Sequence, residues 1–286
     1  MKKAQRVMAR SPARRVVGTL GVTALFCSGL ALTSAGAHAD SGSQVQLYGL
    51  IGTYVGSLKR SDTPQSTVLM GSGGLTTSFW GIGGKEDLGG GVSAIFALES
   101  FFQPQNGAQG RSATEPFWSR NAYVGFKGDF GQLTLGRQRN PTYTAESLVN
   151  PFGSSVVFSP LVVQTFVTSY GGTIIGDTVW NYTARYTTPD FKGFGATVIY
   201  GLGGVAGSPG IGNLGVHLNY QGHGLTAVLS GQRVRYTAAG PVGAQYAYLA
   251  GAAYDFKVVT LYGAWAMTSK HRTAASAETR VRPRQR

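Results

Sequence analysis

Residues able to carry metal or acid–base chemistry are few and scattered in this chain of 286 residues. Three histidines follow residue 39, His217, His223 and His271, and their spacing is not typical of a zinc site. The segment from Gly81 to Lys85 has glycines and a lysine like those of a phosphate-binding loop. However, Phe79 stands where that motif requires its first glycine, and an acid follows the lysine. We therefore interpret these glycines as strand residues and expect no catalytic, metal or cofactor site.

The charge of the chain is concentrated at its two ends. Charged residues make up only 13% of the sequence, about half the usual share, and there are 43 glycines. The first 39 residues hold six basic residues and no acid, and residues 270–286 hold six basic residues and one acid, which leaves about +2 of the +13 net charge to residues 40–269. A nucleic-acid interface needs basic residues clustered on a folded surface. No such cluster is present in the body of the chain, so we expect no nucleic-acid partner.

Residues 1–39 are predicted to be a secretory signal peptide. A basic segment, Met1–Arg15, precedes the apolar run VVGTLGVTALFCSGLAL, and a small-x-small site predicts cleavage between Ala39 and Asp40. The alternative is an uncleaved membrane anchor, although about 17 residues is short for a spanning helix. Cys27, the single cysteine, lies inside this segment. The exported chain would therefore depend on backbone pairing and burial instead of disulfides.

The rest of the chain is organised as strands joined by connections that alternate between short and long. Phe79 to Glu86 and Val92 to Phe102 flank a glycine turn, and similar short turns are predicted near residues 129, 191, 223 and 256. Gln44 to Ser57 is predicted to be the first strand, followed by a polar connection from Leu58 to Gly74. About eleven strands in all predict an antiparallel up-and-down meander. The longest irregular stretch is predicted from Asn140 to Gly176.

The strands carry one apolar and one polar face. The clearest alternation sets Trp180, Tyr182, Ala184 and Tyr186 against Asn181, Thr183, Arg185 and Thr187. A transmembrane barrel turns its apolar face to lipid and its polar face to a wet lumen, with turns sorted into a short and a long set. Only helices or a closed barrel satisfy every backbone group in hydrocarbon. We therefore predict an all-β transmembrane barrel. A secreted soluble β-protein that binds carbohydrate and an outer-membrane barrel enzyme are the alternatives.

Four segments carry a more specific similarity: Trp80–Phe102, Arg120–Gln138, Asn181–Gly201 and Ala250–Trp265. In order and approximate spacing they resemble the trimeric general-diffusion porins of the Gram-negative outer membrane, and the resemblance covers about residues 44–268. It implies passive diffusion of small hydrophilic solutes and ions through an outer-membrane barrel of about 16 strands. It also implies a homotrimer in outer-membrane lipid, no cofactor, and a third loop that folds into the lumen as a constriction.

By that resemblance, residues 140–176 form the constriction loop. Asn150 and Phe152 belong to a turn, Asn-Pro-Phe-Gly, at the place where porins often carry an acidic turn, and Glu146 is the candidate substitute for the missing acid. Arg120, Arg137 and Arg185 are the candidate cationic residues of the opposite wall, because rings of charge at a narrow point select ions by sign. Arg185 has lumen parity, whereas the facing of the other two depends on the resemblance. The alternative for each arginine is a solvated strand end.

The C-terminal residues depart from the family pattern. Porins of this family end in a strand that closes with an aromatic residue, but residues 270–286 are polar and basic and show no alternation. We therefore expect residues 40–269 to form an incomplete barrel and residues 270–286 a basic tail. A truncated or frameshifted coding sequence that lacks about five strands would explain this pattern. A basic tail on a smaller barrel is the alternative.

Overall fold

The computed structural model describes residues 43–59, 64–166, 177–202, 212–235 and 244–271. The predicted signal peptide and its cleavage site lie outside these residues, as does the predicted tail beyond residue 271, and both stay predictions. Strand β14 continues to His271, two residues past the predicted end of the barrel. The described elements are β1 Ser43–Leu50, β2 Thr53–Leu58, β3 Thr67–Ser72, β4 Phe79–Gly89, β5 Val92–Gln103, β6 Ala108–Gln109, β7 Asn121–Gly128, β8 Gly131–Arg139, α1 Pro141–Leu148, α2 Pro160–Phe166, β9 Val179–Thr187, β10 Phe194–Gly201, β11 Asn213–Gly222, β12 Leu225–Arg235, β13 Ala244–Asp255 and β14 Thr260–His271.

Eleven of these strands pair in one antiparallel sheet. They follow chain order, β1-β4-β5-β7-β8-β9-β10-β11-β12-β13-β14, with the short β6 attached to β5. The predicted short turns near residues 89, 129, 191, 223 and 256 all join neighbouring strands of this sheet. The prediction of an all-β meander with about eleven strands is therefore confirmed.

The first predicted strand is wrong in one respect, because it breaks at Gly52. Ser78 Oγ donates to the Gly52 carbonyl oxygen (2.9 Å), and Gly73 N–H donates to the same oxygen (2.8 Å). With its carbonyl occupied by these groups, Gly52 does not continue the ladder between β1 and β4. The residues that follow form β2, which pairs with β3 in a separate two-stranded sheet. Strand β3 lies within the segment that was predicted to be a polar connection.

A bulge in β9 reverses the facing of its first residues. Gly136 of β8 pairs with Thr183, but Gln138 pairs with Trp180, so β9 carries one more residue than β8 over this interval. Tyr182 absorbs the extra residue with φ 54°. Trp180 is consequently buried on the inward face, where it clusters with Ile199 and Val234. The predicted alternation, which gave Trp180 the facing of Tyr182, therefore holds only from Tyr182 onward.

The two faces of the sheet differ as expected for a membrane wall. On β7 and β8 the outward side chains of Val124, Phe126, Leu133 and Leu135 are exposed. The inward face carries buried polar residues, Thr134, Gln138, Thr183, Thr197, His217, Ser230, Gln232 and Gln245. On β4, Gly81 also faces inward, where an added Cβ would lie 2.7 Å from Glu99 Cγ. The glycines of the segment from Gly81 to Lys85 are thus strand residues, as predicted.

The long loop between β8 and β9 is called L3 here, and its described residues, 140–166 and 177–178, pack against the inward face. Its helix α1 bonds to β12, since the hydroxyls of Thr142 and Ser230 are 2.8 Å apart. Farther along L3, Ser155 Oγ donates to the carbonyl of Gly74 (2.6 Å) in the connection that follows β3. These partners lie toward opposite ends of the strand order, so the sheet curves around L3. Within the described residues, no helix has the length and apolarity needed to cross a membrane.

Candidate pore constriction

Helix α1 begins at Pro141 because the sequence supplies both a cap and a first-turn proline. Asn140 Oδ1 accepts a hydrogen bond from the Tyr143 N–H (2.8 Å), which satisfies one of the donors left free at a helix start. Proline at the first helical position loses no hydrogen bond there. Asn140 also closes the base of the loop, since its Nδ2 donates to the Asp177 carbonyl (2.8 Å).

The wall is shaped to receive α1. At Gly215 on β11, an added Cβ would lie 2.8 Å from Pro141 Cγ, and at Gly251 on β13 it would lie 2.6 Å from Val149 Cγ2. Both distances are well below ordinary carbon–carbon contact, about 3.5–4.0 Å. A small apolar cluster completes the seat; it contains Ala145, Val149, Val228 and Leu249. The two glycines therefore allow the helix to lie directly on the strand backbones.

Glu146, the candidate acid of the constriction, is fully buried between α1 and α2. Thr165 Oγ1 donates to Glu146 Oε2 (2.9 Å), and Glu146 Oε1 is buried without a hydrogen-bond partner. Burial raises the pKa of this carboxyl to about 8, and the Thr165 hydrogen bond lowers it only in part. The structure therefore places Glu146 as a contact between two helices of L3, away from the solvent of the bore.

Asn150 and Phe152 form the turn that ends α1. Asn150 Oδ1 accepts from the Phe152 N–H (2.9 Å), and Asn150 Nδ2 contacts the carbonyls of Glu146 and Gly153. Gly153 adopts φ 55°, a left-handed conformation that glycine adopts at little cost. The Asn150 side chain thus caps the helix, while the Phe152 side chain is 40% exposed.

Neighbouring loops hold L3 at its tip and at its base. At the tip, the rings of Phe158 and Tyr54 pack edge to face with centroids 5.4 Å apart, which ties L3 to β2. At the base, Arg111 donates to Asp177 (3.0 Å) and also pairs with Glu115. Burial alone would lower the pKa of Arg111, but its bonds to Glu115 and Asp177 outweigh burial and raise the pKa. Arg111 is therefore charged and links the loop between β6 and β7 to L3.

Two of the three candidate arginines lie on the inward face. Arg185 pairs across the sheet with Thr134 and Ile199, both of which are fully buried on that face. Arg120 forms an ion pair with the buried Glu99, and its guanidinium stacks 3.8 Å from the ring centroid of Phe79. Arg120 is therefore neutralised by its partner. No ion pair joins Arg185 to a carboxylate among the residues that the structure describes.

Arg137 and Arg139 have different surroundings although they are two residues apart. Arg137 donates to the carbonyl of Ser119 (2.8 Å) and contacts Asn181, so it joins the loop base and not the group around Arg185. Arg139 lies 5.0 Å from the ring centroid of Tyr143 on α1, and its charge interacts with those of Arg120, Arg185 and Glu99. Sequence reasoning missed Arg139. Its position immediately before the helix cap, Asn140, was the available signal.

The described residues contain no group of three or more His, Cys, Asp or Glu side chains that could hold a metal ion. The arrangement consists of a wall with an apolar outer face, a loop seated on its polar inner face, and arginines beside that loop.

Comparison with known proteins agrees with the resemblance to porins seen in the sequence. The model of a Gram-negative porin family matches residues 24–281. The chain belongs to the Gram-negative porin family. Outer membrane porin protein 32 of Delftia acidovorans is 29% identical to this porin over 240 residues, which are 82% of this chain and 66% of that protein. An outer membrane porin protein of Bordetella pertussis is 27% identical over 275 residues, with 86% and 69% coverage.

A solved structure supports the fold of this porin directly. The anion-selective porin from Comamonas acidovorans superposes with a TM-score of 0.65 at 26% identity, covering 80% of this chain and 69% of that one. This porin spans about two thirds of the length of these relatives. Family and relatives place it in the Gram-negative outer membrane, as its sequence predicted.

Proposed function

We propose that this porin forms a water-filled channel for passive diffusion of small hydrophilic solutes and ions. The family supports this function over a soluble carbohydrate-binding protein or a barrel enzyme. The observation that carries the proposal is the seating of L3 on the polar inner face, with arginines beside it. A loop in that position narrows the bore without closing it, and small solutes then cross it down their gradients.

We further propose that the channel favours anions. Arg139 and Arg185 supply positive charge near α1, and no ion pair neutralises either of them among the described residues. Of the two nearby carboxylates, Glu99 is paired with Arg120, and Glu146 has a pKa of about 8, so it is mostly protonated at neutral pH. The name of the solved anion-selective relative agrees with this charge balance.

The test is electrical measurement on the full chain, refolded in detergent and inserted into a planar bilayer. We expect stepwise conductance and, under a salt gradient of potassium chloride, a zero-current potential with the sign of chloride preference. Stepwise conductance with a cation preference would contradict the proposed anion preference but not the proposed channel. Folded, inserted protein without conductance would contradict the channel.

Assembly as a homotrimer in outer-membrane lipid is the third part of the proposal. It is supported by the resemblance to trimeric general-diffusion porins. Chemical cross-linking in isolated outer membranes, followed by electrophoresis without heating, is expected to give a species of three chains. A single-chain species that conducts would contradict trimer assembly and leave the channel intact.

A further inference from the structure

The outward face of the sheet carries an open apolar groove near the short-turn end of β10 to β13. Its volume is about 790 Å³, within the range of roughly 300–1,000 Å³ usual for small-molecule sites. Paired positions on adjacent strands form it: Ala196 pairs with Leu218, which pairs with Leu229, which pairs with Ala250. The groove is indented where its lining residues are small, at Ala196, Ala227 and Ala250, between the larger side chains of Leu218, Leu229 and Tyr220.

Aromatic side chains form the rim of the groove that is nearer the turns. The rings of Phe194 and Tyr220 pack 4.6 Å apart, and Phe191 stands beside them with 71% of its surface exposed. Aromatic belts of this kind mark the level at which a bilayer changes from hydrocarbon to headgroups. The groove therefore extends from the headgroup level into the hydrocarbon.

The turn between β9 and β10 places a lysine, Lys192, next to Phe191, a residue that lines the groove. Phe191 and Phe194 pair through both backbone hydrogen bonds, 2.8 and 3.0 Å, around a two-residue turn. Lys192 (φ 53°) and Gly193 (φ 89°) are both left-handed, the geometry of a type I′ turn. The Lys192 ammonium lies 5.8 Å from the centroid of the Phe191 ring. No ion pair to a carboxylate is formed by Lys192 within the described part of the chain.

We propose that this groove binds one glycerophospholipid of the periplasmic leaflet. An acyl chain lies over Ala227 and Ala250, and the phosphate contacts the Lys192 ammonium beside Phe191. The Lys192 ammonium complements the anionic phosphate. Asp190, the one carboxylate among the lining residues, accepts a hydrogen bond from the Gly193 N–H (3.1 Å) and forms no ion pair with Lys192. The inference depends on the outer-membrane location of the chain and not on its proposed channel activity.

Photolabelling tests the site without reference to conductance. The full chain is reconstituted into phosphatidylethanolamine vesicles that contain a phosphatidylglycerol probe with a diazirine in one acyl chain, and labelled peptides are mapped by mass spectrometry. We expect labelling to concentrate on β10 to β13. Ala227→Trp fills the groove and is expected to abolish this labelling, whereas Lys192→Ala is expected to reduce it at least threefold.

A matched control is available in the turn between β13 and β14. Lys257 also has a positive φ, 74°, but it pairs with Asp255 at 3.5 Å. No residue of its turn lines the groove, whereas Lys192 directly follows Phe191, which does. Lys257→Ala is expected to label as the wild type does. Equal labelling of the two lysine variants, or labelling spread evenly around the wall, would overturn the proposal. Cross-links between two copies of the chain at β10 to β13, in place of lipid labelling, would also overturn it. Heat-modifiable gel migration establishes that each variant is folded.

Discussion

The seat of α1 can be tested by adding a single methyl group at Gly251. An alanine Cβ at this position would lie 2.6 Å from Val149 Cγ2 and 3.0 Å from Val149 Cβ. Since ordinary carbon–carbon contact is about 3.5–4.0 Å, α1 must move toward the bore by about 1 Å or the strand must distort. Overpacking of this kind costs about 1–3 kcal/mol. Gly251→Ala is therefore expected to lower both the free energy of unfolding and the single-channel conductance.

Gly231 provides the matched control for this substitution. It lies on the adjacent strand β12 but faces outward, where an added Cβ would make an ordinary contact of 3.6 Å with the Tyr248 ring. Replacing a strand glycine with alanine at an unstrained position stabilises a protein by about 0.4–1 kcal/mol, because the unfolded chain loses freedom. Gly231→Ala is accordingly expected to be neutral or slightly stabilising and to leave conductance unchanged.

A double variant separates the steric explanation from a general loss of stability. Val149→Ala removes Cγ2, the methyl group that would lie nearest to the new Cβ, and so relieves the 2.6 Å contact while the 3.0 Å contact with Val149 Cβ remains. Urea unfolding of the single and double variants should give a favourable coupling energy of at least about 1 kcal/mol between the two sites. Additive effects, or equal behaviour of Gly251→Ala and Gly231→Ala, would refute the claim that glycine is needed for α1 to rest on the wall.

Three further predictions concern L3 and the arginines beside it. Because the pKa of Glu146 is raised from 4.5 to about 8, the folded chain binds more protons than the unfolded chain between these values. Stability therefore falls as pH rises through that window, by up to about 5 kcal/mol. Urea unfolding of Glu146→Gln should lose this dependence, and a pH profile identical to that of the wild type would contradict the buried position. Arg139→Gln and Arg185→Gln should each lower the anion preference roughly fivefold, since two unit charges about 4 Å apart in water interact by about 1 kcal/mol. The zero-current potential measures this preference, and the control Lys257→Gln should leave it unchanged. Asn140→Ala should lower the free energy of unfolding by about 1 kcal/mol. Asn140→Asp keeps the oxygen that caps α1 and should lower it less. Equal losses in the two variants would contradict a capping role for Asn140.

The strand order and short turns could be predicted from the sequence because they depend on local signals. Glycines at positions such as Gly91 and Gly193 mark the turns, and alternation alone is enough to give Arg185 and Thr183 the same face. The bulge at Tyr182 could not be predicted, since it arises from the pairing of β9 with β8 and leaves no mark in the composition of β9. Once it is present, alternation gives the wrong facing for Trp180.

Long-range contacts decide the features of the site that sequence reasoning missed. The surroundings of Glu146 depend on Thr165, 19 residues away, and burial there makes its role different from that of a solvated acid. Arg137 and Arg139 have the same parity, but Arg137 bonds to Asn181 while Arg139 reaches the Tyr143 ring. The break at Gly52 likewise depends on its bond to the Ser78 hydroxyl, which no neighbouring residue signals.

L3 is attached at three separate places: its C-terminal end through Asp177 to Arg111, the first turn of α1 through Thr142 to Ser230, and its tip through Ser155 and Phe158. Movement at any one attachment is resisted by the other two, and packed contacts of this kind switch between discrete arrangements instead of yielding gradually. Current records from the open channel should therefore show a few sharp sublevels with long dwell times. Broad, continuous flicker belongs to a loop tethered only at its ends.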